Sequence, residues 1–475
     1  MNGLSVFAAA REAPRALALV DGSRELSFAD LAERVRGHVQ DLASTATSAR
    51  LPAPWVAVST AHSALAIELI LTLFELGITV LPVHARLTPL ERERLLSDLP
   101  VTTYLDTAGG NLSVERLEPA CSGSEQSELR GAAALATSGS SGEPRVALLS
   151  QRAFLASARA SAQNLGWRED DRWLLCLPLA HVGGLSVVTR CLLARRPVVL
   201  VSEATAEPSA IRIARAIDAG RATLLSVVPA QLDALLSLDG FTLPRHVRAL
   251  LTGGAALSKR LLHVCADRGW PLLTTYGLTE ACSQVATQRP GTENRGGLGS
   301  GPPLPGVDVR VRDGVVEISG PSLFSGYLGR QYTPGVDAEG WFRTGDLGRF
   351  DDAGNLHVLG RHDDVIISGG ENISPREVES VLEACPGVRE ACVFGVPDPR
   401  FGQVVAAALR IDAVCPDLVV TVDRECRQKL ANYKRPRLYA SATAFVYGKT
   451  GKLDRHATAS ALLAQLRPVS DEISV

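Results

Sequence analysis

The chain carries three successive styles of hydrophobic patterning. In the first three quarters, helical spacing alternates with short β-branched runs. Ala64 to Leu76 has three- and four-residue periodicity, Gly77 stops it, and Ile78 to Val83 reads as a buried strand. The rhythm returns in RRPVVLVSEA followed by PSAIRIARAIDAG, in ATLLSVVP followed by AQLDALLSL, and in VRALLTGGAALSKRLLHVCADRG. Repeated strand–helix units of this kind predict parallel sheets covered by helices. After about residue 296, Gly, Pro and Asp turns separate short alternating strands such as VDVRVRDGVVEISG, which predicts an attached antiparallel β unit. A third style begins after GRHDD: strand VIISG, helix PREVESVLEACPG, strands VREACVFGVP and QVVAAALRI, and helix VDRECRQKLAN.

The fold expected is therefore α/β: a large N-terminal domain of parallel sheets with helices and a small β unit over residues 1–360, then a small α+β domain over 361–475. The charged junction Gly360-Arg361-His362-Asp363-Asp364 separates the last two textures and is where a hinge, near 361–364, is expected. Taken alone, a charged surface turn is an equal reading of it.

Composition narrows the function classes. With 475 residues, 46% of them hydrophobic, the chain can bury a large core in two or three folding units. A net charge of -2 supplies no global basic field for nucleic acid or an anionic membrane, so a phosphate-bearing ligand must be gripped locally. The nine cysteines are single, without C-x-x-C pairs or metal-ligand spacing, and read as reduced thiols. The N-terminus lacks the uninterrupted apolar core of a signal peptide, and ALAIELILTLFELG is broken by Glu68 and Glu75, short of a membrane span. A cytoplasmic location follows as the expectation. The oligomeric state stays open, a homo-oligomer included.

Four segments carry candidate chemistry. In AAALATSGSSGEPRVALLS, an apolar strand runs into Thr137-Ser138-Gly139-Ser140-Ser141-Gly142-Glu143-Pro144-Arg145. Backbone N–H groups at two glycines, four hydroxyls and one cation can wrap a polyphosphate. The spacing is not that of a Walker loop, and a plain Ser/Gly hairpin remains open. In LLTTYGLTEACSQVAT, Thr279 and Glu280 are expected at the start of a helix, where the carboxylate can chelate Mg²⁺ or simply complement the helix dipole. Asp346, in a Thr-Gly-Asp turn, can accept two hydrogen bonds from a ribose diol. Lys452, after the Gly448-Lys449-Thr450-Gly451 turn, can neutralise phosphate and carboxylate oxygens.

The order and spacing of these four segments resemble those of the acyl-adenylate-forming superfamily, over roughly residues 25 to 460. The resemblance implies ATP, Mg²⁺ and coenzyme A as cofactor and co-substrates. It implies that Thr137 to Arg145 form the phosphate loop, that Gly253, Gly254 and Ala255 line the adenine pocket, and that Tyr276, followed by Gly277, stacks on adenine. Thr279 would touch the α-phosphate, Glu280 would hold Mg²⁺, and Asp346 would bind the ribose with Arg361 nearby. Asp363 matches the hinge, Lys452 the lysine at the reacting carboxylate, and Gly369 and Gly370 a turn that would leave room for pantetheine. Arg145 stands where a lysine is usual, keeping charge but changing donor geometry.

Within the superfamily the segments LPLAHVGGLSVVTRCLLARRPVVL, SVVPAQLDALL, LLTGGAAL and YGLTEACSQVAT most resemble the o-succinylbenzoate–CoA ligases of menaquinone biosynthesis. That resemblance places His181, Ser283 and Gln284 beside the acyl group, and it gives Arg190, nine residues after His181, to the second carboxylate of an aromatic dicarboxylate. A satisfied core histidine and a surface arginine are the bland alternatives. At the level of function, the alternatives are another aryl- or acyl-CoA ligase, a carrier-loading adenylation enzyme, or a non-catalytic nucleotide-binding relative.

Overall fold

A helix that is apolar on nearly every side must be enclosed, and Ala64–Glu75 (ALAIELILTLFE) is such a helix, its one inward carboxylate, Glu68, paired with Arg34 and His38. In the computed structural model, which describes residues 3–46, 55–60, 63–107, 112–117, 129–137, 145–201, 207–293, 299–329, 332–411, 418–448 and 452–468, its residues from Ala66 to Leu73 are all buried. It shares one core with the helices Phe28–Ala46, Gln151–Leu165 and Val182–Ala194 and with facing side chains of two eight-stranded sheets.

One sheet runs in the order Ser283–Thr287, Leu272–Leu278, Ala249–Thr252, Leu224–Val227, Trp173–Leu175, Val198–Leu200, Leu17–Asp21, Arg24–Ser27. Its interior pairs are parallel and both edge pairs antiparallel. Strand alternation divides its side chains: Trp173 and Leu175 face the shared core, while Leu174 and Cys176 face a second core under the helices Ser209–Ala219, Pro229–Leu236 and Lys259–Asp267. The other eight-stranded sheet holds Trp55–Thr60, Thr79–His84, Ala133–Thr137 and Arg145–Leu149 near its centre and Gly326–Leu328 toward one edge.

The predicted antiparallel unit is a four-stranded sheet of Asp308–Arg312, Val315–Ser319, Phe342–Phe350 and Leu356–Arg361. It packs its inner face, Val316, Ile318 and Leu356, against Tyr276, Val285 and Ala286 of the first sheet. From Ile366 onward the chain builds a six-stranded sheet, centred on Gly402–Ile411, with its own cores around Val378, Val393 and Leu409 and around Phe394, Ala406 and Phe445. The strand Leu438–Ala442, parallel to Gly402–Ile411, is absent from the sequence reading because LYASA is too short and too small-residue-rich to show a period.

Seven cysteines are free and buried; Cys121 and Cys415 lie outside the described residues. Among the described residues no helix is long and apolar enough to cross a membrane.

One local expectation is corrected. Thr279–Ala281 form a single 3-10 turn rather than the start of a helix. Cys282 (φ 54) and Ser283 (φ 92) then reverse the chain into an antiparallel strand. The reversal needs Gly277, since a Cβ there would lie 1.9 Å from the Ser283 carbonyl oxygen. Strand pairing across that bulge satisfies backbone groups that a helix would have claimed, so Glu280 projects from a tight turn.

Candidate active site

The C-terminal ends of parallel strands are where an open α/β sheet offers its side chains to a ligand. Thr252 ends one strand, and Gly253 and Gly254 follow it. Gly254 has φ +79, and a Cβ there would stand 3.4 Å from Cε of Lys452. The lysine near the tail thus meets the glycine turn two hundred residues earlier. Ala255 is exposed beside them. Lys452 keeps one side open to solvent. Protein crowded round the rest lowers its ammonium pKa, an effect opposed by the charges of Asp346 and Glu280 and reinforced by Arg361.

Two tyrosine–carboxylate pairs form the other wall. Tyr276, on the strand Leu272–Leu278, donates its hydroxyl to Oδ2 of Asp346 at 2.6 Å. Arg361 lies directly across the strand pair from Asp346 and reaches Oδ1 at 3.4 Å. Burial, then the Asp346 charge, pushes the Tyr276 phenol well above its ordinary pKa, so it stays a donor. The second pair is Tyr327 and Glu280: the Tyr327 hydroxyl donates to Oε1 at 2.7 Å. Arg145 stands over the Tyr327 ring at 5.4 Å. Sequence reasoning missed Tyr327, because an aromatic residue in a short strand is ordinary core patterning; its only signal is the Ser325-Gly326 turn before it.

Of the hydroxyl-rich turn, Thr137 ends one strand and donates to the Arg145 carbonyl at 3.2 Å, while Arg145 begins the next. Ser138, Gly139, Ser140, Ser141 and Gly142 lie outside the described residues. Thr279 sits beside Glu280 in the 3-10 turn.

A different environment lies along the helix Val182–Ala194. His181 is its N-cap, with its ring 5.7 Å from that of His84. Burial, His84 and Lys452 together hold the His181 pKa down to about 4, so the imidazole is neutral, and its Nε2 has no partner among the described residues. Arg190 does not sit beside His181. Nine residues are two and a half turns, about 13 Å deeper and on the opposite helix face. Arg190 is only 3% exposed. Its guanidinium lies 5.4 Å over the Trp173 ring, near Cys191 and Cys282, without an ion pair among the described residues. Nε and Nη2 have no hydrogen-bond partner among the described residues, and burial draws the pKa down to about 10. Gln284, two residues past Cys282, is also buried with Oε1 unpartnered, while Ser283 holds the strained φ noted above.

The remaining candidates stand apart. Asp363 is exposed, 3.8 Å from Arg361 Nη2 and 3.7 Å from His362 Nδ1. Gly369 and Gly370 form the turn of the hairpin Ile366–Ser368/Glu371–Ile373, and the Gly369 N–H donates to the Phe401 carbonyl at 2.9 Å. The C-terminal sheet is tied to the rest by Arg410, which bridges Asp233 (3.2 Å) and Glu390 (3.0 Å), and by Arg376, which donates to the Leu257 carbonyl at 3.0 Å. Within that unit Arg455, three residues past Lys452, pairs with Glu379 and lies 3.5 Å from Asp364.

The sequence pattern of the AMP-binding enzymes matches residues 6–328, and that of the AMP-binding enzyme C-terminal domain matches residues 377–452. The chain belongs to this family of AMP-binding enzymes. Among its relatives is the 2-succinylbenzoate–CoA ligase of Bacillus pumilus, 32% identical over 93% of this chain and 94% of that protein. Another, from Bacillus cereus, is 37% identical over 71% of this chain and 70% of that one. In three dimensions the chain resembles the o-succinylbenzoate CoA synthetase (MenE) of Bacillus subtilis in complex with the acyl-adenylate intermediate OSB-AMP (TM-score 0.82, 29% identity, 95% and 96% of the two chains). It resembles the same enzyme with ATP and magnesium ion at TM-score 0.81, with 29% identity over 95% and 98% of the chains.

Proposed function

We infer that this protein is an AMP-forming ligase that joins 2-succinylbenzoate to coenzyme A, the reaction named for the relatives above and one that serves menaquinone biosynthesis. The single observation that carries the reading in this chain is the meeting of Lys452, Glu280, Asp346 and Tyr276 around the Gly253-Gly254 turn.

Asp346, Tyr276 and Arg361 form the nucleoside side, with one carboxylate for two ribose hydroxyls. Gly253, Gly254 and Ala255 flank the base, and Thr279 with Thr137 to Arg145 serve the phosphates. Glu280 is a single turn-borne carboxylate, and no cluster of three or more potential ligands exists among the described residues. That suits Mg²⁺ held chiefly by substrate phosphate oxygens, because this ion keeps most of its other positions for water and substrate. When bound, Mg²⁺ supplies charge neutralisation at the phosphates.

In the first half-reaction a carboxylate oxygen of the acid attacks the α-phosphorus of ATP. The new C–O–P linkage forms as the bond to the β-phosphate oxygen breaks, and pyrophosphate leaves. Both reactants are anions, so the cation of Lys452 and the donors of the phosphate turn lower the barrier by offsetting that charge. In the second half-reaction the thiol sulfur of coenzyme A, losing its proton to solvent, attacks the acyl carbon, and AMP departs with the C–O bond electrons. For that step Lys452 gives way by rotation of the unit 361–475 about Asp363, bringing the Gly369-Gly370 turn toward the acyl group, where small residues leave room for pantetheine. Arg190, with Gln284 and Ser283 near it, answers the second carboxylate of the acid, and His181 flanks the reacting one. A buried guanidinium without a counter-ion is what such an anion would complete.

The test is a panel of carboxylic acids assayed for AMP release with and without coenzyme A. 2-Succinylbenzoate should release AMP rapidly only when the thiol is present, and benzoate should be poor. Equal turnover of both acids would overturn the assignment of substrate.

A further inference from the structure

We propose that Tyr327 is a positioning residue for the phosphate end of the site: its hydroxyl sets the direction of the Glu280 carboxylate, and its ring is the platform that holds the Arg145 guanidinium. The inference deepens the reading above and rests on Glu280 being the residue turned toward Mg²⁺.

Glu280 projects from a three-residue turn, which by itself leaves its side-chain torsions free. Two bonds from one neighbouring segment hold the residue, one fixing its backbone and one its side chain. The Phe324 N–H donates to the Glu280 carbonyl at 2.8 Å, and the Tyr327 hydroxyl donates to Oε1 at 2.7 Å. With Oε1 so engaged, Oε2 is the oxygen left for a cation. Tyr327 cannot itself drift, since its ring packs edge-on against Phe324 at 4.7 Å and its strand is paired with Arg145–Leu149, Tyr327 opposite Ala147. The same pairing explains the second contact. Arg145 starts that neighbouring strand, two residues before Ala147, and its Cζ stands 5.4 Å from the Tyr327 ring centroid. A guanidinium stacks on such a face in a way an ammonium does not, which gives a physical reason for arginine at this position. One aromatic side chain therefore couples the strand that begins at Arg145 to the Glu280 carboxylate beside it.

Calorimetric titration of the full-length protein tests this with three ligands: ATP with Mg²⁺, ATP in chelator, and AMP. Tyr327→Phe keeps the ring and should weaken Mg²⁺-dependent ATP binding and raise the half-saturating Mg²⁺ concentration by roughly tenfold, the scale of one charge-assisted hydrogen bond. AMP and metal-free ATP should stay within about twofold of the unaltered protein on the same scale. Tyr327→Leu should add a loss of metal-free ATP affinity, because Arg145 loses its platform. A Tyr327→Phe protein with an unchanged Mg²⁺ midpoint would overturn the hydroxyl's role. An equal loss for AMP would overturn it too, by making the residue merely structural. Identical behaviour of the Phe and Leu variants would overturn the role of the ring. Glu280→Gln is the control: if it leaves the Mg²⁺ dependence intact, the underlying reading of Glu280 fails, and an unchanged Tyr327→Phe beside a defective Glu280→Gln defeats the positioning role alone.

Discussion

The two walls of the cleft satisfy their polar groups in opposite ways. On the side proposed for the nucleotide, each carboxylate has a protein partner: Asp346 bonds Tyr276 and Arg361, and Glu280 bonds Tyr327. On the side proposed for the acyl group, Arg190, Gln284 and His181 have buried donor or acceptor atoms without a partner among the described residues. A prearranged wall costs little to organise when its ligand arrives. An unsatisfied wall carries a standing cost, on the order of 1–3 kcal/mol per buried group, that only the right ligand removes. The first arrangement suits a nucleotide common to every substrate of such enzymes; the second discriminates, because an acid without the matching group leaves the cost in place.

The sharpest way to break this contrast is to remove the group that serves both walls. Lys452→Ala should slow pyrophosphate exchange by about 10² to 10³, the usual effect of losing one well-placed charge-stabilising donor, while thioester formation from supplied acyl-AMP stays within a few-fold. Parallel losses in both half-reactions would remove the lysine from the first step specifically. Next in size, Arg190→Leu should lower kcat/KM for 2-succinylbenzoate by about 10²-fold, in line with an unpaired substrate anion, and scarcely change it for benzoate. Thermal denaturation should show the Leu variant equally or more stable, since a buried, incompletely bonded cation has been exchanged for an apolar side chain. A large fall in Tm would mean that Arg190 supports the fold instead.

A smaller effect is expected where the C-terminal unit docks. Asp233→Ala and Arg410→Ala should each slow adenylation about fivefold, and the double variant should lose less than the two effects combined, because they share one contact while Asp233 also pairs with Arg260 and Arg410 with Glu390. Additive losses in that double-mutant cycle would separate the two residues. Least in size is a slope of stability with pH. His181 has a folded pKa near 4, below its unfolded value of about 6.5. Between these values the unfolded chain binds the extra proton, so stability contributed here is complete above about pH 6.5 and falls away as the pH drops toward 4. His181→Asn should flatten denaturant-unfolding curves across that window; an unchanged slope would show that His181 is not held neutral.

Much of this arrangement could be read from the residues themselves because its chemistry sits at interruptions of hydrophobic patterning. Gly253-Gly254 and the Tyr276-Gly277 bulge break an apolar run at a strand end, and the break is visible without coordinates, whereas Asp346, expected in a Thr-Gly-Asp turn, sits within the strand Phe342–Phe350, where pairing with Leu356–Arg361 takes up the backbone. Tyr327 was not visible because its strand is three residues long and its partner lies 47 positions away. The helix expected at Thr279 failed for a related reason. Local propensity favours a turn-plus-helix there, but antiparallel pairing to the preceding strand, a tertiary influence, takes the backbone groups instead. The depth of Arg190 was equally hidden: spacing along a helix gives a face and a height, not how far the surrounding sheet closes over it.

Arg455 sets a condition on how the tail lysine can travel. By gripping Glu379 on one helix and standing next to Asp364 at the junction, it fastens the segment after Lys452 to both the body of the six-stranded sheet and the base of the connector. In the two-step cycle proposed above, the lysine would travel with the sheet to which Arg455 fastens its neighbourhood, so a small turn at the connector would become a long arc at the lysine tip.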